Sequence, residues 1–150
     1  MKKLLSILCL IGSVAFVACN DDDDSPRYQL SENIKNYIAA NYPGAVVTDY
    51  DKERNHIEVD IVENGATGSV RKELYFSTAD QWLRTEWDVR IAELPEAVVN
   101  AVNAQYPDYR IDDADYVQAP GEEYYEIEIE KGNKEPLLKV ALDGSSVEMI

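Results

Sequence analysis

The chain has 150 residues, with 29 acidic against 14 basic residues and a formal net charge of −15 at neutral pH. A negative surplus of this size repels phosphate backbones and anionic membrane surfaces, so it argues against a nucleic-acid partner. Two cysteines and one histidine are present, which excludes a cysteine-rich metal cluster. The length suits a single domain.

Residues 1–18 are typical of a secretory signal peptide. Two lysines precede an apolar run over residues 4–17, which is shorter than the roughly 17–25 residues of a transmembrane helix. The run ends in Ala18-Cys19, which resembles the lipobox of bacterial lipoproteins. We therefore predict cleavage before Cys19 and attachment of a lipid to its thiol. An ordinary cleaved signal with an unmodified cysteine is the alternative.

Residues 19–27 are predicted to be an acidic tether between the lipid and the domain. Four consecutive aspartates, Asp21–Asp24, repel one another and keep the segment extended. A weak calcium site is the alternative, although a flexible run lacks the rigid cage that tight binding needs. Acidic residues after a lipidated cysteine also resemble an export signal to the outer face of the outer membrane. We predict an outer-membrane lipoprotein that contacts the membrane only through the lipid. The sequence leaves two locations open, the cell surface and the periplasmic side of the membrane.

One segment of 14 residues occurs twice, 64 positions apart. Leu30–Pro43 and Leu94–Pro107 share Leu, Glu, Asn, Ala, Tyr and Pro at equal offsets. In each copy the apolar residues have helical spacing, and the Tyr-Pro pair predicts the end of the helix. The repetition divides a predicted domain over residues 28–150 into repeats 28–90 and 91–150.

Four strands are predicted after each helix, because the apolar residues then alternate with polar ones. The predicted strands are 45–51, 57–61, 70–76 and 82–89 in the first repeat, and 110–117, 125–129, 137–142 and 146–150 in the second. Such alternation is typical of antiparallel strands with one buried and one wet face. The predicted fold class is α+β: two tandem α-β-β-β-β repeats that form an antiparallel sheet with both helices on one face.

Three features resemble the PepSY-like family related to β-lactamase inhibitory protein. They are the repeated Leu-x-Glu-(x)9-Tyr-Pro helix, the glutamate-rich strand after it, and Leu74-Tyr75-Phe76 followed by Trp82-Leu83. The resemblance covers residues 30–150 and implies a non-catalytic protein that binds through the open face of its sheet. Some members inhibit secreted enzymes. Inhibition of a β-lactamase is not expected here, because the inhibitor carries disulfides and the cleaved chain retains a single cysteine.

The sequence gives no support for catalysis. His56 is the only histidine and lies in no catalytic motif. The carboxylate pairs Glu58/Asp60 and Glu126/Glu128 have the regular spacing of a wet sheet face. A glycine-rich phosphate loop and the HExxH and EF-hand motifs are absent from the sequence. We therefore predict that the protein is not an enzyme and has no cofactor and no dedicated metal site.

Strand alternation places aromatic and charged residues together on the predicted wet face. Tryptophan, tyrosine and arginine dominate binding hot spots, so this face is the predicted binding surface. The candidate residues are Glu58, Asp60, Arg71, Tyr75, Trp82, Arg84, Tyr124 and Glu126. The alternatives are that cross-strand charge pairs only stabilise the sheet, and that Trp82 is buried instead of Trp87.

Two functions remain open from the sequence. The favoured one is an exported lipoprotein that binds an unknown secreted or envelope protein or peptide, with enzyme inhibition as one form of that binding. The alternative is an accessory protein for a small ligand, either a divalent cation on the acidic face or a glycan stacked on Trp82 and Tyr75.

Overall fold

The computed structural model describes residues 29–65 and 68–150. The predicted signal peptide, Cys19 and the acidic tether lie outside these residues. In chain order the elements are helix α1 (Glu32–Asn41), strands β1 (Val46–Lys52), β2 (His56–Gly65), β3 (Gly68–Ser77) and β4 (Trp82–Asp88), a 3-10 turn (Ile91–Glu93), helix α2 (Glu96–Gln105), and strands β5 (Arg110–Ala119), β6 (Glu122–Glu130), β7 (Leu137–Ala141) and β8 (Val147–Met149).

The strands form one antiparallel sheet in which β1 to β8 follow one another in sequence order. The fold is therefore α+β, with an eight-stranded antiparallel sheet and two helices. Strand β4 pairs with β5, Thr85–Asp88 running opposite Asp115–Gln118, and this pairing joins the first four strands to the last four. Within the described ranges, neither helix reaches the length and apolarity that crossing a membrane requires.

Helix α1 begins and ends where its sequence predicts. The Ser31 hydroxyl accepts the backbone N–H of Ile34 at 3.2 Å, so it caps the helix. The helix ends at Asn41, with Tyr42 as its C-cap, because Pro43 cannot continue its hydrogen bonding. Ile34 and Ile38 are buried against side chains of β2 and β3. The strand residues of this core are Ile57, Val59, Ile61, Leu74 and Phe76.

Helix α2 has the same length and the same pattern of burial. It begins after Pro95, whose fixed φ suits a helix start, and its last turn is followed by Tyr106. Val98 and Val102 are buried against strands β5, β6 and β7. Burying each such side chain contributes roughly 1.5–3 kcal/mol, so this packing holds the helix on the sheet. The strand residues of this core are Ala114, Tyr125, Ile127, Ile129, Leu138 and Val140.

A buried hydroxyl on β4 connects the end of α1 to the sheet. The Tyr42 hydroxyl donates to Thr85 Oγ1 at 3.0 Å, and the Trp82 indole N–H donates to the same oxygen, also at 3.0 Å. Thr85 is fully buried. Since a buried donor without an acceptor is costly, this one oxygen fixes both aromatic side chains against β4.

Candidate binding face

The candidate site is one face of the sheet, which we call the polar face. Its side chains alternate along the strands with the buried cores: Glu58 and Asp60 alternate with Val59, and Glu126 alternates with Ile127. Cross-strand pairing continues the same face through the neighbouring strands. Its members include Glu58, Asp60, Arg71, Glu73, Tyr75, Arg84, Glu86, Asp88, Asp115, Val117, Tyr124, Glu126 and Lys139. Every predicted binding residue except Trp82 belongs to this set.

Arg84 lies at the centre of the polar face. Its guanidinium nitrogens are 3.0 Å from a carboxylate oxygen of Glu86 and 3.2 Å from one of Glu126. The guanidinium carbon lies 4.6 Å from the ring centroid of Tyr75, which is cation–π distance. Arg84 therefore connects β3, β4 and β6. Its side chain remains 36% exposed, so a partner can reach it.

Two tyrosines flank Arg84. The Tyr75 hydroxyl donates to Glu73 at 3.0 Å, and burial raises the pKa of Tyr75 far above its usual value, so the phenol stays neutral. The Tyr124 hydroxyl donates to Glu126 at 3.4 Å, and Lys139 Nζ lies 4.2 Å from the Tyr124 ring centroid. Both rings thus carry a cation against one face and a carboxylate at the hydroxyl.

An apolar residue lies beneath this charged cluster. Val117 pairs with Glu86 on one side and with Tyr124 on the other, and it is fully buried. It belongs to neither helix-packed core. The polar side chains above it are therefore partly removed from water, which strengthens the ion pairs of Arg84. Burial also raises the pKa of Glu86, while Arg84 opposes that rise.

Three carboxylates form a tight group next to the cluster. One oxygen from each of Glu58, Asp60 and Glu73 lies within 4.8 Å of the others. Burial raises the pKa of Glu58, and the charges of Glu73 and Asp60 add to the rise. Asp60 is 3% exposed; Oδ2 accepts a bond from Arg71, whereas Oδ1 has no hydrogen-bond partner within the described residues. Carboxylate oxygens are ligands for hard cations, so this group could hold one.

The prediction that Trp82 lies on the polar face is wrong. Its ring stacks on Tyr37 of α1, with the ring centroids 5.6 Å apart. The pairing of β3 with β4 shifts by one residue, so that Tyr75 is opposite Arg84 while Phe76 is opposite Trp82. This bulge reverses the side on which Trp82 projects. Trp82 and Tyr75 therefore do not form one stacking platform for a glycan.

Trp87 also lies away from the polar face. It stacks on Tyr116 with the ring centroids 4.6 Å apart, and Lys72 Nζ lies 4.3 Å from the Trp87 ring. Both tryptophans are half-buried on the side of the sheet opposite Arg84. The alternative in which only one of the two is buried is therefore wrong.

A cleft that the sequence analysis did not predict opens beside the carboxylate group. Pairing between β3 and β4 extends only to Glu73 opposite Glu86, and the two strands separate beyond that point. The cleft holds about 120 Å³ and we call it the acidic cleft. It is lined by Arg71, Glu73, Glu86, Trp87, Asp88 and Asp115. The alternation of Glu86 with Asp88 along β4 is the sequence signal that could have placed Asp88 on this face.

Crowding of carboxylates in the acidic cleft changes the acidity of Asp115. Burial raises its pKa to about 7, and the charges of Asp113, Asp88 and Glu86 contribute to the rise. Asp88 lies opposite Asp115 in the ladder between β4 and β5, so the two carboxylates are neighbours on the polar face. Asp115 is therefore about half protonated near neutral pH.

These features define a class of protein: an eight-stranded antiparallel sheet with two helices is the β-lactamase-inhibitor-like fold. The family model described as "Putative beta-lactamase-inhibitor-like, PepSY-like" matches residues 18–79 and, a second time, residues 64–145. The chain belongs to this family, and the resemblance noted in the sequence is confirmed.

Solved structures from Bacteroides share the fold. A BLIP-like protein from Bacteroides fragilis is 25% identical, with a TM-score of 0.66 over 86% of this chain and 92% of that one. A DUF2874 family protein from Bacteroides uniformis is 20% identical, with a TM-score of 0.64 over 80% of this chain and 89% of that one. A Bacteroides eggerthii protein described as "putative periplasmic proteins" is 20% identical, with a TM-score of 0.62 over 80% and 88%. No curated protein matches the chain.

The raised pKa of Asp115 predicts a pH-dependent stability. An aspartate in the unfolded chain titrates near about 3.9, so the folded state retains a proton that the unfolded state loses. The stabilising contribution of Asp115 is then complete below about pH 4 and is lost as the pH rises through about 7. Asparagine cannot ionise, so the Asp115→Asn variant does not lose this contribution. We therefore expect the unfolding free energy of the variant, measured relative to wild type, to rise by about 1 kcal/mol from acidic to alkaline pH, after allowance for solvent screening.

Urea denaturation over this pH range measures that difference. Asp112→Asn is the matched control, because it removes one carboxylate from an exposed position of the same strand. An equal pH dependence in both variants would contradict the role assigned to burial at Asp115.

Proposed function

We propose that this protein is a non-catalytic, exported lipoprotein that binds a secreted or envelope protein or peptide through its polar face. The observation that carries this proposal is the cluster in which Arg84 contacts Tyr75, Glu86 and Glu126. Arginine and tyrosine are enriched in interface hot spots, and hot spots lie in surroundings that are partly removed from water, as the side chains above Val117 are. Inhibition of an enzyme is one form that such binding takes.

The charge of the face indicates the chemistry of the partner. Arg71, Arg84 and Lys139 are outnumbered on it by the carboxylates. These are Glu58, Asp60, Glu73, Glu86, Asp88, Asp115 and Glu126. A partner with a basic surface would be attracted over distance and then held by the central aromatic and arginine contacts.

We infer that the chain is a tandem duplication of one α-β-β-β-β unit with both helices on the same face of the sheet. The double match of the family model and the order of the elements support this inference. The register of the strands supports it too. On β4, Thr85 lies opposite Leu74 of the first core, and Trp87 lies opposite Tyr116, which packs next to the second core. Thr85 and Trp87 are two residues apart on the same strand, so they project to the same side of the sheet. This arrangement leaves the polar face of both repeats, 28–90 and 91–150, free for a partner.

The proposed location is the cell envelope, with Cys19 lipidated in the outer membrane. The lipobox-like Ala18-Cys19 sequence supports it. A structural neighbour from Bacteroides eggerthii carries the description "putative periplasmic proteins". Both the surface and the periplasmic side agree with a domain that is tethered by residues 19–27.

Capture of partners tests the binding proposal. We expect the double variant Tyr75→Ala with Arg84→Ala to lose its partner, because removal of two hot-spot side chains costs about 2 kcal/mol or more, at least about thirtyfold in affinity. The soluble domain from Arg27 onward is incubated with an envelope extract, and the captured proteins are identified. Trp82 is left unchanged, because its removal would open a gap against Tyr37.

The matched control is Tyr109→Ala with Arg110→Ala, which removes the same two residue types at and just before the start of β5, outside the Arg84 cluster. Circular dichroism verifies that both variants fold. If both double variants recover the same partners as the wild type, the polar face is not the binding surface.

Lipidation is tested by substitution at the two cysteines. We expect Cys19→Ala to release the protein from membranes, because no thiol remains to carry the lipid. Cys9→Ala is the control, since it lies in the apolar run and leaves the lipobox intact. Fractionation of cells expressing each variant measures membrane association. Unchanged retention of the Cys19→Ala protein would remove the basis for the lipoprotein assignment.

A divalent cation is the second candidate ligand, and the carboxylate group of Glu58, Asp60 and Glu73 favours it. Arg71 opposes it, because Arg71 already pairs with Asp60. If a cation binds, millimolar calcium should raise the melting temperature of the wild type by several degrees and leave that of Asp60→Asn unchanged. Asp112→Asn serves as the control variant. Equal melting temperatures with and without calcium would exclude this ligand.

A further inference from the structure

Strand β3 extends beyond its pairing with β4. Residues Gly68–Lys72 pair with β2 on one side. On the other side, the described part of the chain shows no ladder pairing for them, because the pairing with β4 begins at Glu73. A groove of about 680 Å³, which we call the β3 groove, lies along this edge. It is lined by Ser69, Val70, Arg71, Asp88, Arg90 and Glu93.

The β3 groove offers what an extended peptide needs for binding. A strand edge without a neighbour presents backbone N–H and C=O groups in the spacing of a β-ladder. Val70 is 42% exposed in the groove, so an apolar side chain is available there for a ligand to cover. The opposite wall carries Arg90, whose charge is already paired with Glu93. The backbone edge of β3 is therefore available for hydrogen bonds from a ligand, and the side chain of Val70 is available for apolar contact.

The acidic cleft continues directly from the β3 groove, because Arg71 and Asp88 line both. Its about 120 Å³ equals the liquid volume of about four water molecules, enough for the end of a lysine or arginine side chain. Four carboxylates line it, and its one cationic side chain, Arg71, pairs with Asp60. Of these carboxylates, Glu86 is ion-paired with Arg84, whose Nη2 lies 3.0 Å from Oε2 of Glu86.

The electrostatics of the cleft favour a cation from outside. Burial and the charges of the surrounding carboxylates disfavour the ionised form of Asp115 and raise its pKa. An ammonium or guanidinium group in the cleft, which is lined by four carboxylates, would favour that ionised form and offset part of the excess charge. The charge complementarity is therefore with a basic side chain and not with an acidic or apolar one.

We propose that the β3 groove binds an extended segment of a partner protein as a strand added to β3, with a lysine or arginine side chain of that segment in the acidic cleft. This inference rests on the proposed function, since it names the chemistry of the partner's segment. It adds a second contact region next to the Arg84 cluster, and the groove itself contains neither Arg84 nor Tyr75.

Two matched peptides test the proposal. The probes are the blocked peptides Ac-Thr-Val-Lys-Val-Thr-NH2 and Ac-Thr-Val-Gln-Val-Thr-NH2, titrated into the 15N-labelled soluble domain and followed by NMR. We expect amide shifts at residues 69–72 and 88–93, and an affinity for the lysine peptide that is at least about tenfold higher than for the glutamine peptide. Asp88→Asn and Asp115→Asn should each reduce that preference. Asp112→Asn, on the same strand but outside the cleft, should leave it unchanged.

Backbone methylation tests the added strand separately from the charge. The N–H groups of neighbouring residues in a strand point to opposite sides. N-methylation of the lysine peptide at one of two adjacent residues should therefore abolish binding, while methylation at the other is tolerated. Equal effects of the two methylations would overturn the strand geometry.

Other outcomes overturn the assignment of the occupant. Equal affinity for the two peptides, no saturable binding of either, or shifts confined to other residues would each refute it. Amide shifts in the groove that depend on protein concentration alone would identify a second copy of the chain as the occupant. The capture experiment with Tyr75 and Arg84 is independent of these results, so the inference can fail while the proposed function stands.

Discussion

The pairing of β4 with β5 is the contact on which the rest of the polar face depends. It joins the two groups of four strands and places Glu86 beside Val117, which in turn lies beside Tyr124. Only with this register can Arg84 of β4 reach Glu126 of β6 across the intervening strand. The short ladder therefore does more than extend the sheet, because it assembles a charged cluster from residues that are distant in sequence.

Electrostatics and packing impose opposite demands on this surface. The excess carboxylates repel one another, and this repulsion adds to the rise in the pKa of Asp115 and of Glu58 that burial causes. Arg84 offsets that repulsion at the centre, where it lies between Glu86 and Glu126. At the end of the β3–β4 pairing the cation that lines the cleft, Arg71, is ion-paired with Asp60 of β2, and there the strands separate. The cluster and the cleft therefore differ in how their carboxylates are paired with cations.

Much of the fold could be predicted from sequence, because helical and two-residue periods record which side chains are buried. Ser31 and Pro43 mark the ends of α1 as expected. Alternation predicts which residues share the polar face wherever it is unbroken, and it fails at Trp82, where a one-residue bulge leaves no signature in the residue types. The acidic cleft was missed for a related reason. Its existence depends on where two strands stop pairing, which is decided by twist and packing and not by local pattern.

The shared hydroxyl of Thr85 has a consequence for communication through the sheet. Thr85 is bound by Tyr42 and Trp82 on the side of α1, while its chain neighbour Arg84 projects to the other side. A displacement of the helix that preserves the Tyr42–Thr85 hydrogen bond would therefore move the backbone that carries Arg84. The thickness of a single strand separates the two, so the packing of α1 helps to set the orientation of Arg84, the residue that we propose contacts a partner. Under that proposal, sequence changes in α1 are a route by which proteins with the same polar face would differ in affinity.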